Sequence, residues 1–536
     1  MATSPRASSR YFTIEDAKAS FNLFCCVYGI GTLGMPGNFA RAGPVCGIVA
    51  LAYMGLVNVY ASVKCSRVML LAPRSVKTFA DLGEFALGPR GRVAVVMSQM
   101  GVCLFVPCAF LVLGGKLLDV IIPDAFPPVM WSILMSISIL PIALIPTMKE
   151  GAGAALAGCL GTILADFMAL GVLVHHLYHA TPVSVPTPAI SFDSIASTFG
   201  NLSLAYGAAI VIPDLQRQHS QPSRMPRVVF VTMTIVTVLF VAIASTGYAM
   251  VGCQIPGNLL FAISGPELGF TAERGVVVLA FMAMQLHITI GFSVLLHPAF
   301  YYAEQAVLGL HTSPPPTFQA LSDSDTCSTS DNDHDSTNTF AASHSNPSKL
   351  PRPADAPPHP PSAMEAATLA NPAESDESDD ASSLSGLRTQ SSSSVSSTLP
   401  DEEDVPKSDS SSNLVACCIL RTSMVAALTV VSVVLHDHFH ELVDLVGASS
   451  VSLSCIVLPI LCYLKVCHAD IGIVERAFCY FTIGVCSVLS MYVTVQSGRQ
   501  LLASTADHIV FPYCPLPYQH VAYTNATFYS NTIPNP

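Results

Sequence analysis

The chain has 536 residues, of which 51% are hydrophobic and only 11% charged, and its mean hydropathy is +0.53. Soluble domains carry about 25% charged residues, so this composition excludes a soluble globular protein. The formal net charge of −12 comes from one segment, because residues 311–412 contain 17 acidic and 4 basic side chains while the rest contains 19 and 20. The acidity is therefore local, and we expect no nucleic-acid partner.

Eleven hydrophobic segments predict an all-α polytopic membrane protein, because a helix needs about 20 mostly apolar residues to span a bilayer. A polar arm at 1–20 precedes the first eight spans, which lie within 21–300, and the last three spans lie within 413–496, before a tail at 497–536. The segments are 21–41, 44–71, 93–121, 129–147, 152–176, 196–214, 226–251, 273–300, 414–436, 444–466 and 473–496.

The first segment contains glycines at its centre, in the sequence FNLFCCVYGIGTLGMPGNFARAG. Gly29, Gly31 and Gly34 are followed by Pro36, and in a helix glycine costs roughly 1 kcal/mol and proline about 3 kcal/mol. A membrane tolerates such a weak point where the freed backbone groups are buried in protein or line a cavity. The pattern predicts a broken helix whose free N–H groups could hold a carboxylate. Close helix packing or a simple proline kink remains the alternative.

The sixth segment, IASTFGNLSLAYGAAIVIPDLQ, is interrupted in a similar way. Gly200, Ser203, Tyr206 and Gly207 break its apolar run, and Pro213 ends it. Corresponding breaks in the two halves of a transporter indicate a binding site near the membrane midplane. The two breaks are five segments apart, which suits two five-helix repeats.

The loop predicted between the eighth and ninth spans, residues 301–412, is rich in Ser, Pro, Asp and Glu from residue 311 onward. Such a composition buries too little apolar surface to fold, so we predict a disordered cytosolic loop. It could bind cytosolic regulators through phosphorylated serines, or it could be a passive tether.

Basic residues in the short loops predict the orientation, because cytosolic loops carry an excess of Lys and Arg. The end of the second segment and the loop after it have six bases, and the loop after the sixth segment with the start of the seventh has three, on the same side as the N-terminal arm. This bias predicts a cytosolic N-terminus and, with eleven spans, an extracytosolic C-terminal tail. Asn525 would then be a glycosylation acceptor on the correct side, and Cys253 and Cys514 could form a disulfide there.

These motifs resemble the amino acid/auxin permease family, within the amino acid–polyamine–organocation superfamily. The first-segment sequence resembles that family's first helix, and GNLSLAYGAAIVIPDLQRQHSQPSRMPRV resembles its sixth helix and the following loop. RTSMVAALTVVSVVLHDHFHELVDLVGASSVSLSCIVLPILCYLKV resembles its ninth and tenth helices. The resemblance implies a LeuT-like fold of inverted five-helix repeats with broken helices 1 and 6. It also implies secondary active transport of amino acids by alternating access.

The family's substrate site can be carried over onto matching positions. The backbone around Gly29, Ile30, Gly31 and Thr32 would hold the substrate carboxylate. The unwound part of the sixth helix, near Ser203, Tyr206 and Gly207, would face the amino group and the side chain. These assignments follow from the resemblance and agree with the broken-helix interpretation.

Two features predict the coupling ion: a departure from the family pattern at Cys25, and the acidic residue Asp166 within a predicted span. Asn22 matches an asparagine of the family pattern, but Cys25 stands where sodium-coupled members carry a second one, and sulfur suits sodium poorly. Asp166 lies at mid-span of the fifth segment, where carboxylates often relay protons, although a neutral or hydrogen-bonded carboxyl remains the alternative. His287 in the eighth segment is a second candidate. We therefore predict coupling to protons rather than to sodium.

Other classes have less support in the sequence. We find no P-loop, HExxH or GxSxG motif, so the sequence predicts neither an ATP-driven pump nor an enzyme, and no cofactor is expected. The patch at 436–441, HDHFHE, lacks zinc-site spacing and predicts a solvated outer loop, so we expect no metal site. A non-transporting amino-acid receptor on the same fold and a sodium-coupled transporter remain the alternatives. The family allows plasma or vacuole-like membranes, and we expect the plasma membrane.

Overall fold

The structure, a computed structural model, describes residues 12–144, 151–178, 185–310, 410–502, 509–525 and 527–529. The disordered loop predicted at 301–412 is wrong at both ends, because one helix continues to Leu308 and another begins at Ser410, and its residues 311–409 lie outside the described residues. Fourteen α-helices and short 3₁₀ and π turns account for the regular structure of the described ranges, which contain no β-strand.

Apolar runs form the long helices, and Pro or Gly residues at their ends set many of the boundaries. The helices are α1 (Ile14–Val27), α2 (Met35–Leu71), α3 (Phe79–Leu87), α4 (Pro89–Ile121), α5 (Pro128–Ala143), α6 (Gly151–Leu177), α7 (Phe192–Ala205), α8 (Ile212–Gln218), α9 (Met225–Val251), α10 (Arg274–Leu308), α11 (Ser410–Val434), α12 (Phe439–Val446), α13 (Leu458–Val466) and α14 (Ile473–Leu501).

Every one of the eleven predicted segments is helical over most of its described length, although only nine described stretches are both long and apolar enough to cross a bilayer. The first two segments meet inside α2 at Gly43, whose φ of +76° and following Pro44 bend the chain between them. The fourth segment corresponds to α5, which has only 16 residues.

The tenth span starts earlier than the predicted residue 444, because α12 begins at Phe439 after a 3₁₀ turn. The solvated loop predicted at 436–441 is therefore wrong, because these residues form the 3₁₀ turn and the start of α12. Phe439 and Leu442 are buried despite the polar residues between them. Two π turns, at Gly447–Val451 and Leu453–Val457, then connect α12 to α13. Such turns within a helix are frequent at functional sites.

The long helices pack around the two interrupted ones. The helix α2 packs on α9, while α10 packs on both α4 and α6. The turn between α1 and α2 contacts α6 and α7, and the first π turn after α12 contacts α7. Both interruptions therefore lie inside the bundle.

Candidate functional site

The first interruption separates α1 from α2 and exposes backbone donors. A 3₁₀ turn at Ile30–Gly34 links the two helices, and α2 begins with Pro36 in its first turn. The N–H groups of Gly29, Ile30 and Gly31 have no hydrogen-bond acceptor among the described residues. Unpaired N–H groups at the start of a helical turn carry partial positive charge and can bind an anion.

Glycines let this turn approach its neighbours very closely. A Cβ atom at Gly31 would lie 2.7 Å from the Cα atom of Ala205, the last residue of α7. A Cβ atom at Gly29 would lie 2.8 Å from Nε2 of His287 on α10. The first interruption is therefore in contact with both the end of α7 and the imidazole.

The second interruption follows α7, and a 3₁₀ turn at Ala209–Val211 leads into α8. Ser203 is 1% exposed, and its hydroxyl has no hydrogen-bond partner among the described residues. The Tyr206 side chain points away from α7 and toward α9, where its hydroxyl donates to the Thr237 hydroxyl at 3.1 Å. Gly207 faces Val451, where an added Cβ would meet Val451 Cγ1 at an ordinary 3.6 Å.

Asp166 ties α6 to both sides of the first interruption. The Tyr28 hydroxyl donates to its Oδ2 at 2.9 Å. The Thr32 hydroxyl lies 3.2 Å from its Oδ1 and 3.0 Å from the carbonyl oxygen of Gly29. Asp166 is only 2% exposed and has no ion pair with Lys, Arg or His among the described residues. Its neighbours are thus neutral hydroxyl groups.

The other predicted ion-coupling residues lie at different distances from the turn. Nδ1 of His287 lies 3.2 Å from the carbonyl oxygen of Gly158. In a neutral ring this carbonyl is bonded by Nδ1–H, so Nε2 is left as an acceptor facing Gly29. Cys25 and Asn22 lie on α1, before the interruption. The Cys25 thiol is buried against Cys159, and Asn22 is half-buried.

Ion pairs hold both ends of the first interrupted helix. In the first turns of α2, Arg41 Nη1 donates to Asp444 Oδ2 on α12 at 2.6 Å, and its Nε donates to the Tyr513 hydroxyl at 3.0 Å.

At the N-terminal end of α1, Asp16 accepts from Arg224 Nη2 at 2.7 Å and lies 3.2 Å from His219 Nε2. Burial raises the pKa of Asp16, but bonds from Thr13 and Arg224 outweigh it and hold this pKa below its usual value.

The tail, residues 509–525 and 527–529, lies at the Arg41 end of the bundle and contains the predicted disulfide. Cys253 and Cys514 are bonded, with their Cα atoms 5.2 Å apart. Asn525 is exposed, and its Oδ1 accepts from the Thr527 hydroxyl at 2.8 Å. Within the described residues, no cluster of three or more His, Cys, Asp and Glu could hold a metal ion, and this includes the 436–441 patch.

A known family accounts for this arrangement. The family described as "Transmembrane amino acid transporter protein" matches residues 13–499, nearly all of the described part of the chain. The chain belongs to this family. It is a family of integral, multi-pass membrane transporters and not of enzymes, and the resemblance in the sequence motifs is thereby confirmed.

Relatives and one solved structure refine this assignment. The chain is 24% identical over 268 residues to the amino acid transporter AVT1D of Arabidopsis thaliana, covering 48% of this chain and 46% of that protein. It is 22% identical over 266 residues to the vacuolar amino acid transporter 4 of Saccharomyces cerevisiae, covering 46% and 36% respectively. The matches thus span about half or less of these relatives.

The crystal structure of MhsT in complex with L-phenylalanine has a TM-score of 0.51 to this chain, at 9% identity, and covers 90% of this chain and 98% of that one. This likeness confirms the predicted LeuT-like fold, with its inverted repeats and broken first and sixth helices.

The structure adds residues that the sequence did not single out. Tyr28 lies one position before the predicted glycines, and Tyr513 lies next to Cys514, but neither carried a signal of its own. Asp444 and Arg41 are 403 positions apart in the chain, so their pairing depends on the fold. The predicted residues Gly29, Gly31, Thr32, Asp166 and His287 do come together around one turn.

Proposed function

We propose that this protein is a secondary active transporter of amino acids that works by alternating access. The observation that carries the proposal is the position of the free N–H groups of Gly29, Ile30 and Gly31 beside the end of α7. The N-terminal end of a helical turn favours an anion, and the C-terminal end of a helix favours a cation. An α-amino acid carries both charges on adjacent atoms.

The substrate carboxylate is bound by the N–H groups of the first interruption, and its ammonium group faces the carbonyl end of α7 near Ala205. The Ser203 hydroxyl contacts the ammonium group or the substrate side chain, and this side chain lies beside Gly207. Tyr206 supports this site from behind, since its hydroxyl is bonded to Thr237 on α9. The relatives named as amino acid transporters support this substrate class.

Protons drive the transport through Asp166. A carboxyl group this deeply buried, with only hydroxyl neighbours, pays a large cost when it is ionised, so it can bind a proton at membrane depth. When ionised, Asp166 accepts from the Thr32 hydroxyl. When protonated, it donates to the Thr32 oxygen, and the Thr32 hydroxyl turns to the Gly29 carbonyl. Protonation therefore changes the hydrogen bonds of the turn that binds the carboxylate.

The N-terminus is cytosolic and the C-terminal tail extracytosolic. The Cys253–Cys514 disulfide supports this orientation, because disulfides persist in oxidising compartments and not in the cytosol. The plasma membrane is the first candidate for its location, and a vacuole-like membrane is the second because a yeast relative is named as vacuolar. The acidic loop, residues 311–412, would contact cytosolic regulators.

Uptake of a labelled amino-acid mixture by proteoliposomes tests the proposal. The purified protein is assayed with an inward proton gradient, with a sodium gradient and with neither. We expect accumulation with the proton gradient alone, and Asp166→Asn should abolish this accumulation while exchange of substrate across the membrane persists. Asp124→Asn is the matched control, because Asp124 is exposed.

The other outcomes identify the alternatives. Accumulation that requires sodium would replace the proton mechanism with a sodium site completed by oxygen ligands at positions other than Cys25. Binding of an amino acid without accumulation under any gradient would indicate a receptor on the same fold. An Asp166→Asn variant that still accumulates substrate on a proton gradient would exclude Asp166 as the coupling group.

A further inference from the structure

The tail is bound firmly to the loop that follows α9. Besides the disulfide to Cys253, the neighbouring Gln254 side chain makes three bonds to the tail: its Nε2 donates to the carbonyl oxygens of Tyr518 and Val521 at 2.9 and 2.8 Å, and its Oε1 accepts from Tyr523 N at 2.8 Å. Gln254 is fully buried. One loop therefore fixes the tail by a covalent bond and by a side chain that is hydrogen-bonded to the backbone of the tail.

Two contacts to other parts of the chain fix the backbone of Tyr513. Its neighbour Cys514 forms the disulfide, and its own carbonyl oxygen accepts from Ala189 N at 3.2 Å. Ala189 belongs to the segment before α7. The position of the Tyr513 backbone is thus set by two loops from different parts of the chain.

The Tyr513 side chain contacts the ion pair between α2 and α12. Its hydroxyl accepts from Arg41 Nε at 3.0 Å, and its ring centre lies 5.3 Å from the Arg41 guanidinium carbon. Arg41 is only 5% exposed, and its Nη1 bonds Asp444. The hydroxyl and the carboxylate therefore bind different edges of the same guanidinium, and the aromatic ring adds a cation–π contact.

We propose that Tyr513 is a positioning residue that holds Arg41 against Asp444, so that the disulfide-bonded tail stabilises the closed state of this end of the bundle. This inference rests on the proposed function, in which this end must open and close. Without the hydroxyl, the Arg41 Nε–H is buried without an acceptor, and the guanidinium gains by turning toward water. Without the disulfide, the hydrogen bonds from Ala189 and Gln254 still hold this part of the tail, but the Tyr513 hydroxyl is positioned less firmly.

Hydrogen–deuterium exchange of the purified full chain tests the inference without depending on transport. Exchange in the peptides covering 35–42 and 439–446 reports local opening of this end. Tyr513→Phe, and Cys253→Ser combined with Cys514→Ser, should each speed exchange there roughly tenfold, which is the scale of a hydrogen bond to a charged group. Exchange at residues 14–24, at the other end of α1, should not change.

Combining the variants decides whether the tail acts through Tyr513. If it does, the triple variant Cys253→Ser, Cys514→Ser, Tyr513→Phe exchanges no faster than the disulfide-free protein, because both changes remove the same contact. Effects that multiply, or a Tyr513→Phe protein that exchanges like the wild type, would overturn the inference. Tyr529→Phe is the matched control, since the Tyr529 hydroxyl donates to Val521 O within the tail at 2.6 Å.

Wild-type protein treated with dithiothreitol provides a second route if the serine variants fold poorly. Reduced wild type should exchange like Tyr513→Phe in the same two peptides, and unchanged exchange after reduction would also overturn the inference. Proteoliposome uptake decides the transport function separately. If the exchange experiments show that the tail acts through Tyr513 but the protein transports nothing, the inference about the tail stands and only the proposed transport function is excluded.

Discussion

The two interrupted helices are held in different ways. The turn between α1 and α2 is fixed by side chains from outside it, since Asp166 bonds Tyr28 and Thr32, and His287 lies against Gly29. The interruption after α7 has fewer polar contacts. There Tyr206 is bonded to α9, while the Ser203 hydroxyl has no partner among the described residues.

In the proposed site, this difference would separate two tasks. The first turn presents free backbone N–H groups, which suit the carboxylate that all α-amino acids share. The second interruption has a hydroxyl with no partner among the described residues, which suits the parts of the substrate that vary. We therefore propose that the first turn recognises the substrate class and that the second interruption selects among its members.

Gly31→Val should have the largest effect, because the space beside Gly31 is already filled by the backbone of Ala205. A Cβ there would lie 2.7 Å from Ala205 Cα, and backbone cannot move aside as a flexible side chain can. We expect uptake to fall at least about 100-fold, the scale expected when a site is displaced by about 1 Å. Proteoliposome uptake is the measurement, together with surface expression.

Gly171→Val is the matched control, because Gly171 on α6 lies outside the proposed site and an added Cβ there would meet nothing within 4 Å. Its uptake should stay within about threefold of the wild type, as expected for a change of about 0.6 kcal/mol or less. Normal uptake by a correctly inserted Gly31→Val protein would remove the carboxylate site from the first turn.

Thr32→Val should have the next largest effect, because it removes the hydroxyl between Asp166 and the Gly29 carbonyl while keeping the volume of the side chain. Bonds to charged groups contribute about 1.5–3 kcal/mol, so we expect proton-driven accumulation to fall roughly tenfold or more. Thr32→Ser keeps the hydroxyl and should retain most of the accumulation. Equal losses in both variants would show that packing, and not the hydroxyl, matters at this position.

Tyr206→Phe should have a small effect on stability and little on transport, because its hydroxyl bonds Thr237 on the far side of the interruption. Hydrogen bonds between membrane helices average about 0.6 kcal/mol, so a slightly lower melting temperature is expected. A change in amino-acid preference without a change in melting temperature would place the hydroxyl in the substrate pocket instead. Tyr248→Phe is the control, since its buried hydroxyl has no partner among the described residues.

Both interruptions could be predicted from the sequence, because glycine and proline inside an apolar run have a known cost in a helix. Asp166 could be singled out in the same way, since an acid at mid-span is expensive. These are properties of local composition. The paired breaks and the resemblance to the family then predicted one substrate site for both interruptions.

The partners of these residues could not be predicted. Tyr28 and Asp166 are separated by 138 positions, and their bond depends on how α1 and α6 are rotated about their axes. The same holds for His287 beside Gly29 and for Tyr513 on Arg41. Helix rotation is set by side-chain packing over the whole bundle, which one sequence does not reveal. The early start of α12 was hidden because polar residues alternate with its buried anchors.

Ser203→Ala should have the smallest effect on the empty protein and so gives the finest test of the comparison between the two interruptions. The hydroxyl is buried without a partner among the described residues, so its removal relieves a desolvation cost, and the melting temperature should stay the same or rise. If the substrate satisfies this hydroxyl, the apparent KM should rise several-fold, by about the net free energy of one hydrogen bond, about 1 kcal/mol.

Ser197→Ala supplies the control, because the Ser197 hydroxyl lies on the same helix and already donates to the Ser194 carbonyl oxygen at 2.9 Å. That variant should leave the KM unchanged. A Ser203→Ala protein with unchanged KM for every amino acid tested would mean that the second interruption selects substrates by shape alone. The unpaired hydroxyl would then be a cost that the substrate does not relieve.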